Sequence, residues 1–197
     1  ALPIWSISDL GGPSANMWQA RCKADPSKCA RTSCLHPSIC PNFVHSQSAV
    51  TTLLENVSTI PGVKRVRVAS GVRHDLALES GRYAAALVRE FTSGQLKLAP
   101  EHISDEVLDL MRKPGFKVFE DFLTLFEDVS RQAKKKQFVV PYLMSAFPGC
   151  TDDHMRQLSK WFRSRGWKPR QVQCFIPLPG TVAAAMFHAE TDADGNP

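Results

Sequence analysis

Residues 137–146 read Gln-Phe-Val-Val-Pro-Tyr-Leu-Met-Ser-Ala, a β-rich run that is nearly all apolar. Such a run fits a central strand of a parallel sheet covered on both faces, because an edge or half-solvated strand alternates apolar with polar residues. A parallel strand cannot be reached by a tight hairpin; it needs a long crossover on each side, usually helical. The chain supplies both crossovers. Residues 116–134 place Phe119, Phe122, Leu125, Phe126 and Val129 at helical spacing, and Thr151 caps a helix through Leu158, Trp161 and Phe162 that ends at Gly166. The fold class is therefore α/β.

The rest of the sequence repeats the alternation. Residues 2–8 read as a strand, and 46–57 as a helix with Val50, Leu53, Leu54 and Val57 on one face. After Pro61-Gly62, residues 63–69 alternate Val66 and Val68 with basic residues as a strand does. Residues 80–92 form a helix with Tyr83, Leu87, Val88 and Phe91 on its apolar face, and Leu96 to Ala99 a short strand. Ser104-Asp105-Glu106 caps a helix to about Met111; Val172 to Ile176 is the last strand, and Gly180 to Ala189 a short final helix. About five parallel βα units with right-handed crossovers imply a parallel sheet or partial barrel. The opening strand has nothing before it to serve as a first strand or capping helix, which predicts a piece of something longer.

With 197 residues, 43% of them hydrophobic, the chain can bury one substantial core. No apolar run approaches the roughly 20 residues that span a bilayer. The start, Ala1 to Ile7, lacks the basic region and small-residue cleavage site of a signal peptide, so the expected location is cytoplasmic, with no membrane partner. The net charge of +5 favours anionic partners, but the basic residues are scattered. Lys134-Lys135-Lys136 reads as a solvated helix end, so charge alone gives nucleic-acid binding little support.

Ligands of parallel α/β folds gather at the carboxyl ends of strands. Those ends read Asp9-Leu10-Gly11-Gly12-Pro13, Ser70-Gly71-Val72-Arg73-His74-Asp75, Pro100-Glu101-His102, Ser145-Ala146-Phe147-Pro148-Gly149-Cys150-Thr151 and Ile176-Pro177-Leu178-Pro179-Gly180-Thr181. Any one loop of this kind needs no more than turn-making to explain it; five together imply a site. Glu101 and His102 are candidates for ribose binding or acid–base work, or a helix-entry carboxylate answering the dipole. Arg73, His74 and Asp75 would grip a carboxylate or form a surface ion-pair cluster. His36, His45, His154 and His188 read as solvated or core histidines, His36 lying inside a cysteine-rich loop. No G-x-S-x-G elbow, Walker loop or G-x-G-x-x-G is present, which argues against a serine hydrolase, a P-loop enzyme and a Rossmann dehydrogenase.

Cys22, Cys29, Cys34 and Cys40 crowd into one short segment at spacing C-x6-C-x4-C-x5-C, unlike the paired C-x2-C knuckle of common zinc fingers. Four soft thiolates in a short loop can close around zinc or hold an iron–sulfur cluster. Two disulfides, in an oxidising compartment, and free thiols are the alternatives.

The segments ISDLGGPSANM, SCLHPSICPN, VASGVRHDLALES, LKLAPEH, LMRKPGF, VPYLMSAFPGCTDDHM and VQCFIPLPGT closely resemble the YgiQ-like family of radical S-adenosylmethionine (SAM) proteins, from about residue 5 to residue 188. The resemblance implies a partial TIM-type barrel over residues 1–190, with a Cys-rich insertion at 22–42 and a frayed tail at 191–197. It also implies reductive cleavage of SAM on a [4Fe–4S] cluster. That cluster hangs on a C-x3-C-x2-C loop, which this sequence lacks, so its ligands are expected upstream of Ala1 and the chain alone should be inactive. By the same resemblance Gly11 and Gly12 meet the SAM amino group and Glu101 the ribose. Ser145, Pro148 and Gly149 lie beside the cofactor, and the backbone of Ile176 and Pro177 meets the adenine. Arg73, His74, Asp75 and His102 would then face an unknown substrate, while Cys22, Cys29, Cys34 and Cys40 form an accessory site for zinc or a second cluster. The rival expectation is a non-catalytic α/β module, clamped by metal at the cysteines, that binds RNA or a protein partner.

Overall fold

The structure, a computed structural model, describes residues 5–10, 12, 14–169 and 172–197. The chain divides into two compact units: Ala1–Arg31, Pro41–Ala99 and Val118–Val140 form the first, and Thr32–Cys40, Pro100–Lys117 and Pro141–Pro197 the second.

Strand β1 (Trp5–Ser8) is followed by a short antiparallel pair, β2 (Arg21–Cys22) and β3 (Phe43–Val44), then helix α1 (Gln47–Ser58) and strand β4 (Val63–Arg67). β1 and β4 run parallel, with Ile7 opposite Val66 and Ser8 opposite Arg67. α1 is a capped crossover: Ser46 Oγ accepts the Ala49 N–H, and Val50 and Leu54 are buried. Two short helices follow, α2 (His74–Leu78) and α3 (Gly81–Ala86), and then strand β5 (Gln95–Glu101). Val72 makes a parallel bridge to Leu98, so the chain beyond β4 lies alongside β5. Next come α4 (Asp105–Leu110), α5 (Phe116–Gln132), β6 (Phe138–Ser145), α6 (Asp152–Ser164), β7 (Gln173–Cys174) and α7 (Val182–Ala189).

β5, β6 and β7 form a sheet in that order, and β6 pairs with β7 in parallel. The chain is thus a mixed α/β protein with small parallel sheets, and among the described residues the strands do not close into a barrel. β7 is shorter than the sequence predicts. Pro177 and Pro179 have no N–H to extend the ladder, which ends with the Phe175 N–H on Ser145 O.

Two further expectations are corrected. Residues 80–92 are not one α-helix, because α3 gives way to a π-helical turn over Leu87–Phe91. Side chains stabilise that turn. Thr92 Oγ1 donates to Leu87 O at 2.8 Å, and Gln137 Nε2 donates to Val88 O at 3.1 Å and Thr92 O at 2.6 Å. Ser130 Oγ in turn donates to Gln137 Oε1 at 3.0 Å and fixes the amide. Nor is β6 covered on both faces. Val139 and Leu143 are buried, whereas Phe138 and Tyr142 are exposed, so only one face packs.

The first unit's core is built on α5, whose Phe119, Phe122, Leu123 and Phe126 are buried, with Tyr83, Leu87, Leu96 and Leu98 also in the interior. In the second unit Leu143, Leu158 and Phe162 pack with Ile103, Met155, Trp161 and Trp167. His102, just after β5, is fully buried. Its Nδ1 accepts the Ser104 N–H at 3.0 Å, which satisfies a donor at the start of α4 where the Ser104 side chain makes no cap. Burial, and then the neighbouring His154, lowers its pKa to about 4.

Replacing Gln137 with Ala strands the Val88 and Thr92 carbonyls. Urea unfolding should show a loss of about 1–3 kcal/mol, and an unchanged midpoint would contradict the role given to this amide. His102 gives a pH-dependent expectation. An unfolded imidazole protonates near 6.5 and the folded one only near 4, so the unfolded state binds more protons between those values. Its stabilisation is complete above pH 6.5 and declines as pH falls toward 4. Urea midpoints measured across that window should decline less steeply in His102→Phe than in the parent.

Candidate functional site

In the first unit the loops that leave β1 and β4 are bonded to each other. Asp9, one residue past β1, has a left-handed φ of 62°. Its Oδ1 accepts the Ala69 N–H at 2.9 Å, the Ser70 N–H at 2.5 Å and the Ser70 hydroxyl at 2.7 Å. Desolvation pushes this carboxyl upward. The Ser70 hydroxyl and N–H, the Ala69 N–H and the charge of Lys97 outweigh it and hold the pKa below the usual aspartate value. Asn16 makes the second tie. Its buried amide donates to Arg73 O at 2.8 Å and accepts the Arg73 N–H at 2.9 Å, while Gln47 Nε2 donates to Asn16 O at 3.0 Å. Sequence reading missed both residues. Asp9 sits among the strand-end residues but without a role, and no spacing rule singles out a buried Asn in an irregular loop.

Arg73, His74 and Asp75 are brought together, yet largely satisfy one another. Arg73 forms a bidentate pair with Asp75, Nε to Oδ1 at 3.1 Å and a terminal nitrogen to Oδ2 at 2.6 Å. Asp75 and His74 are buried, and His74 meets the Phe119 ring edge-on at 5.6 Å. Gly12 has a φ of 103°, and no heavy atom lies within 4 Å of where a Cβ would stand, so the space beside its backbone is open. Gly11 lies outside the described residues.

In the second unit the ends of β5 and β6 carry the other candidates. Glu101 has a left-handed φ of 68°, and its Oε1 accepts from Lys113 Nζ at 3.3 Å. With His102 Nδ1 taken by the Ser104 N–H, the neutral ring carries its proton on Nε2, 3.8 Å from Cys150 Sγ. Burial pushes the Cys150 thiol up, the Ala146 backbone opposes it, and the Asp152 charge adds to the rise. Cys150 is therefore a neutral thiol beside a neutral imidazole, not an activated nucleophile. His154 completes a capping box: the Thr151 N–H donates to its Nδ1 at 3.1 Å, and its own N–H reaches Thr151 Oγ1 at 3.4 Å. Its Nε2 lies 3.1 Å from Glu106 Oε2, and its ring stands 6.2 Å from that of His102. His36 meets Asp109 Oδ1 at 3.1 Å through Nε2.

Ala146, after β6, is a third left-handed residue, with a φ of 57°. Pro148 and Gly149 line a cavity of about 480 Å³ with Leu110, Met186 and Phe187. At Gly149 φ is 84°, a conformation that strains any other residue, and an added Cβ would also have to displace the Leu110 Cδ1 methyl. Ser145 Oγ lies 3.5 Å from Gln173 O, too long for more than a weak bond. Ile176 is exposed, and Pro177 borders a shallow hollow with Thr181 and His188.

All six cysteines are free thiols. Cys22 and Cys29 are exposed, Cys34 is half-buried and Cys40 is buried, its N–H donating to Cys34 O at 2.8 Å. Among the described residues no group of three or more His, Cys, Asp or Glu is placed to hold a metal ion.

No family model matches the chain. Similar proteins are nonetheless numerous. A UPF0313 protein of Pseudomonas syringae is 42% identical over 185 residues, covering 93% of this chain and 24% of its own length. One from Bradyrhizobium diazoefficiens is 44% identical, covering 92% of this chain and 27% of its own length. An archaeal one, from Methanocella arvoryzae, is 39% identical, with coverage of 93% and 31%. The chain spans roughly a quarter of the length of the curated relatives it matches, and across that span its sequence matches the UPF0313 family.

Proposed function

We propose that this chain is the part of a radical SAM enzyme that supplies most of the loops around SAM. One observation carries the reading: at the carboxyl ends of β1, β5 and β6 a non-glycine residue, Asp9, Glu101 or Ala146, is held in the left-handed region. Each such residue costs on the order of 1 kcal/mol or more and persists only where its surroundings over-determine it. Strain of this kind collects at sites, and the carboxyl ends of parallel strands are where sites form. The pairing of β1 with β4, the bridge from Val72 to Leu98 and the order β5-β6-β7 support reading these strands as part of an incomplete TIM-type barrel.

The donor set fits SAM. Gly12, which with Gly11 would meet the amino group by resemblance, has open space beside its backbone. Glu101 accepts from Lys113 through Oε1, which leaves Oε2 for ribose hydroxyls. Ser145, Pro148 and Gly149 would border the cofactor, and Ile176 and Pro177 would meet the adenine with their backbone. Bound SAM, given one electron by the cluster placed outside this chain, would release methionine and supply the 5′-deoxyadenosyl radical that takes a hydrogen atom from substrate. Arg73, ordered by Asp75, would position that substrate; His102, expected to share that task, is fully buried with its Nδ1 on the Ser104 N–H. The residues do not fit the [4Fe–4S] cluster: the sequence has no C-x3-C-x2-C, and we place those ligands outside this chain. By the same resemblance Cys22, Cys29, Cys34 and Cys40 would hold zinc or a second cluster. No helix of the described residues is long and apolar enough to cross a membrane, and a cytoplasmic location accords with this reading.

Calorimetric titration of the chain with SAM should show saturable binding that Glu101→Ala weakens about tenfold, the value of a hydrogen bond or two to ribose. Equal affinity in the variant, or no saturable binding, overturns the assignment. After anaerobic treatment with iron, sulfide and a reductant, the chain alone should form no 5′-deoxyadenosine. Robust formation would sink the placement of the cluster ligands elsewhere.

A further inference from the structure

Along β4 the first unit has a cleft of about 510 Å³, lined by Lys64, Arg65, Arg67, Lys135, Lys136 and Glu90. Five cations face a single carboxylate. Lys64, Arg65, Arg67 and Lys136 make no ion pair or side-chain hydrogen bond with any described residue. Lys135 donates to the Arg89 carbonyl, which fixes its ammonium without neutralising it. The anchoring is local. Lys135 and Lys136 follow α5, and Gln137, held by Val88 O and Thr92 O, pins that end of the chain against the π-helical turn. On β4, Arg65 and Arg67 stand two residues apart and so share one face of the strand.

A convex, solvated surface would spread like charges apart. A concave one focuses their potential and concentrates anions. The choice of anion follows from the neighbouring residue. Phe138, next after Gln137, is 59% exposed although it opens a strand whose Val139 is buried. An exposed apolar ring one residue beyond the cleft's last lining residue, Gln137, adds to the unpaired cations what a single nucleic-acid strand needs: cations track the phosphates, and bases stack on the ring. A free phosphate would use the charge but not the ring.

We propose that this cleft binds the sugar–phosphate backbone of single-stranded RNA, with Phe138 stacking on a base. The proposal rests on the first unit alone and is independent of the SAM reading.

Fluorescence anisotropy of a labelled oligouridylate with the 197-residue chain tests it. Affinity should fall steeply with salt. The triple variant Lys64→Gln, Arg65→Gln, Arg67→Gln should bind at least tenfold more weakly, and its log–log salt slope should be shallower by about 2, at ~0.7 for each phosphate no longer neutralised. Phe138→Ala should weaken binding about tenfold with the slope unchanged, the signature of stacking rather than charge. The charge-preserving triple Lys64→Arg, Arg65→Lys, Arg67→Lys should bind like the parent, and circular dichroism of each variant separates weakened binding from a damaged fold. A control triple on the second unit, Lys160→Gln, Arg163→Gln, Lys168→Gln, makes the same change in net charge and should alter affinity less than twofold. Equal loss in that control, salt-insensitive or absent binding, or displacement of the RNA by pyrophosphate or polyglutamate at matched charge concentration would overturn the proposal.

Discussion

The ionised Asp9 carboxylate is the constraint on which the strand-end region of the first unit depends. Its Oδ1 takes donors from Ala69 and Ser70 and so ties the exit of β1 to the exit of β4. A neutral carboxylic acid would accept these bonds more weakly, because charge-assisted hydrogen bonds are roughly twice as strong. The same bonds keep Asp9 ionised, so geometry and charge support each other. Asn16 then binds the peptide of Arg73 on both sides, as a β-strand neighbour would. Without these two side chains, the loops bearing Gly12 and Arg73 would have few fixed points.

Strain and its compensation take different forms at the three left-handed strand exits, which are three of the seven such non-glycine positions among the described residues. At Asp9 the side chain itself secures the conformation through the Ser70 bonds. Glu101 is held by Lys113 and by the buried His102 that follows it. Ala146 has no polar side chain to offer. There Gly149, three residues on and itself at a φ of 84°, and the Cys150 N–H on Phe147 O shape the turn. Each strand exit thus reaches the same backbone conformation by a different local solution.

Much of the architecture was legible because it depends on periodicity. The α5 stripe of Phe119, Phe122, Phe126 and Val129 is buried as its spacing demands, and Ser46 and Thr151 cap the helices they precede. What escaped was whatever depends on partners distant in sequence. The π-helical turn is set by Thr92 and by Gln137, some fifty residues away from Val88, and no local pattern encodes that. The half-exposed β6 escaped for a related reason: an apolar run reports what a strand can bury, not what stands against it. At the site, glycines and strand-end carboxylates were visible as residue types. Asp9 and Asn16 were not, because their roles are hydrogen bonds to backbone atoms 57 or more residues away. The Arg73–Asp75 pair was foreseen as one of two alternatives, and the bidentate geometry shows the charges meeting each other.

β4 also joins two different charge environments. Beyond its carboxyl end the charges are consumed locally: Ser70 binds Asp9, and Arg73 binds Asp75. Polar groups there are rigid and nearly neutral as a set, which suits a small ligand whose orientation matters. Toward its amino end Lys64 and Arg65 are exposed and unpaired, and Glu90 cannot balance them. Flexible, unneutralised cations suit a partner whose charge repeats along its length and whose register is free. The sequence carries this difference in plain form, since acidic residues accompany the basic ones after β4 and are absent within it. It becomes a functional distinction only when α5 delivers Lys135 and Lys136 to the same cleft, a juxtaposition created by the fold.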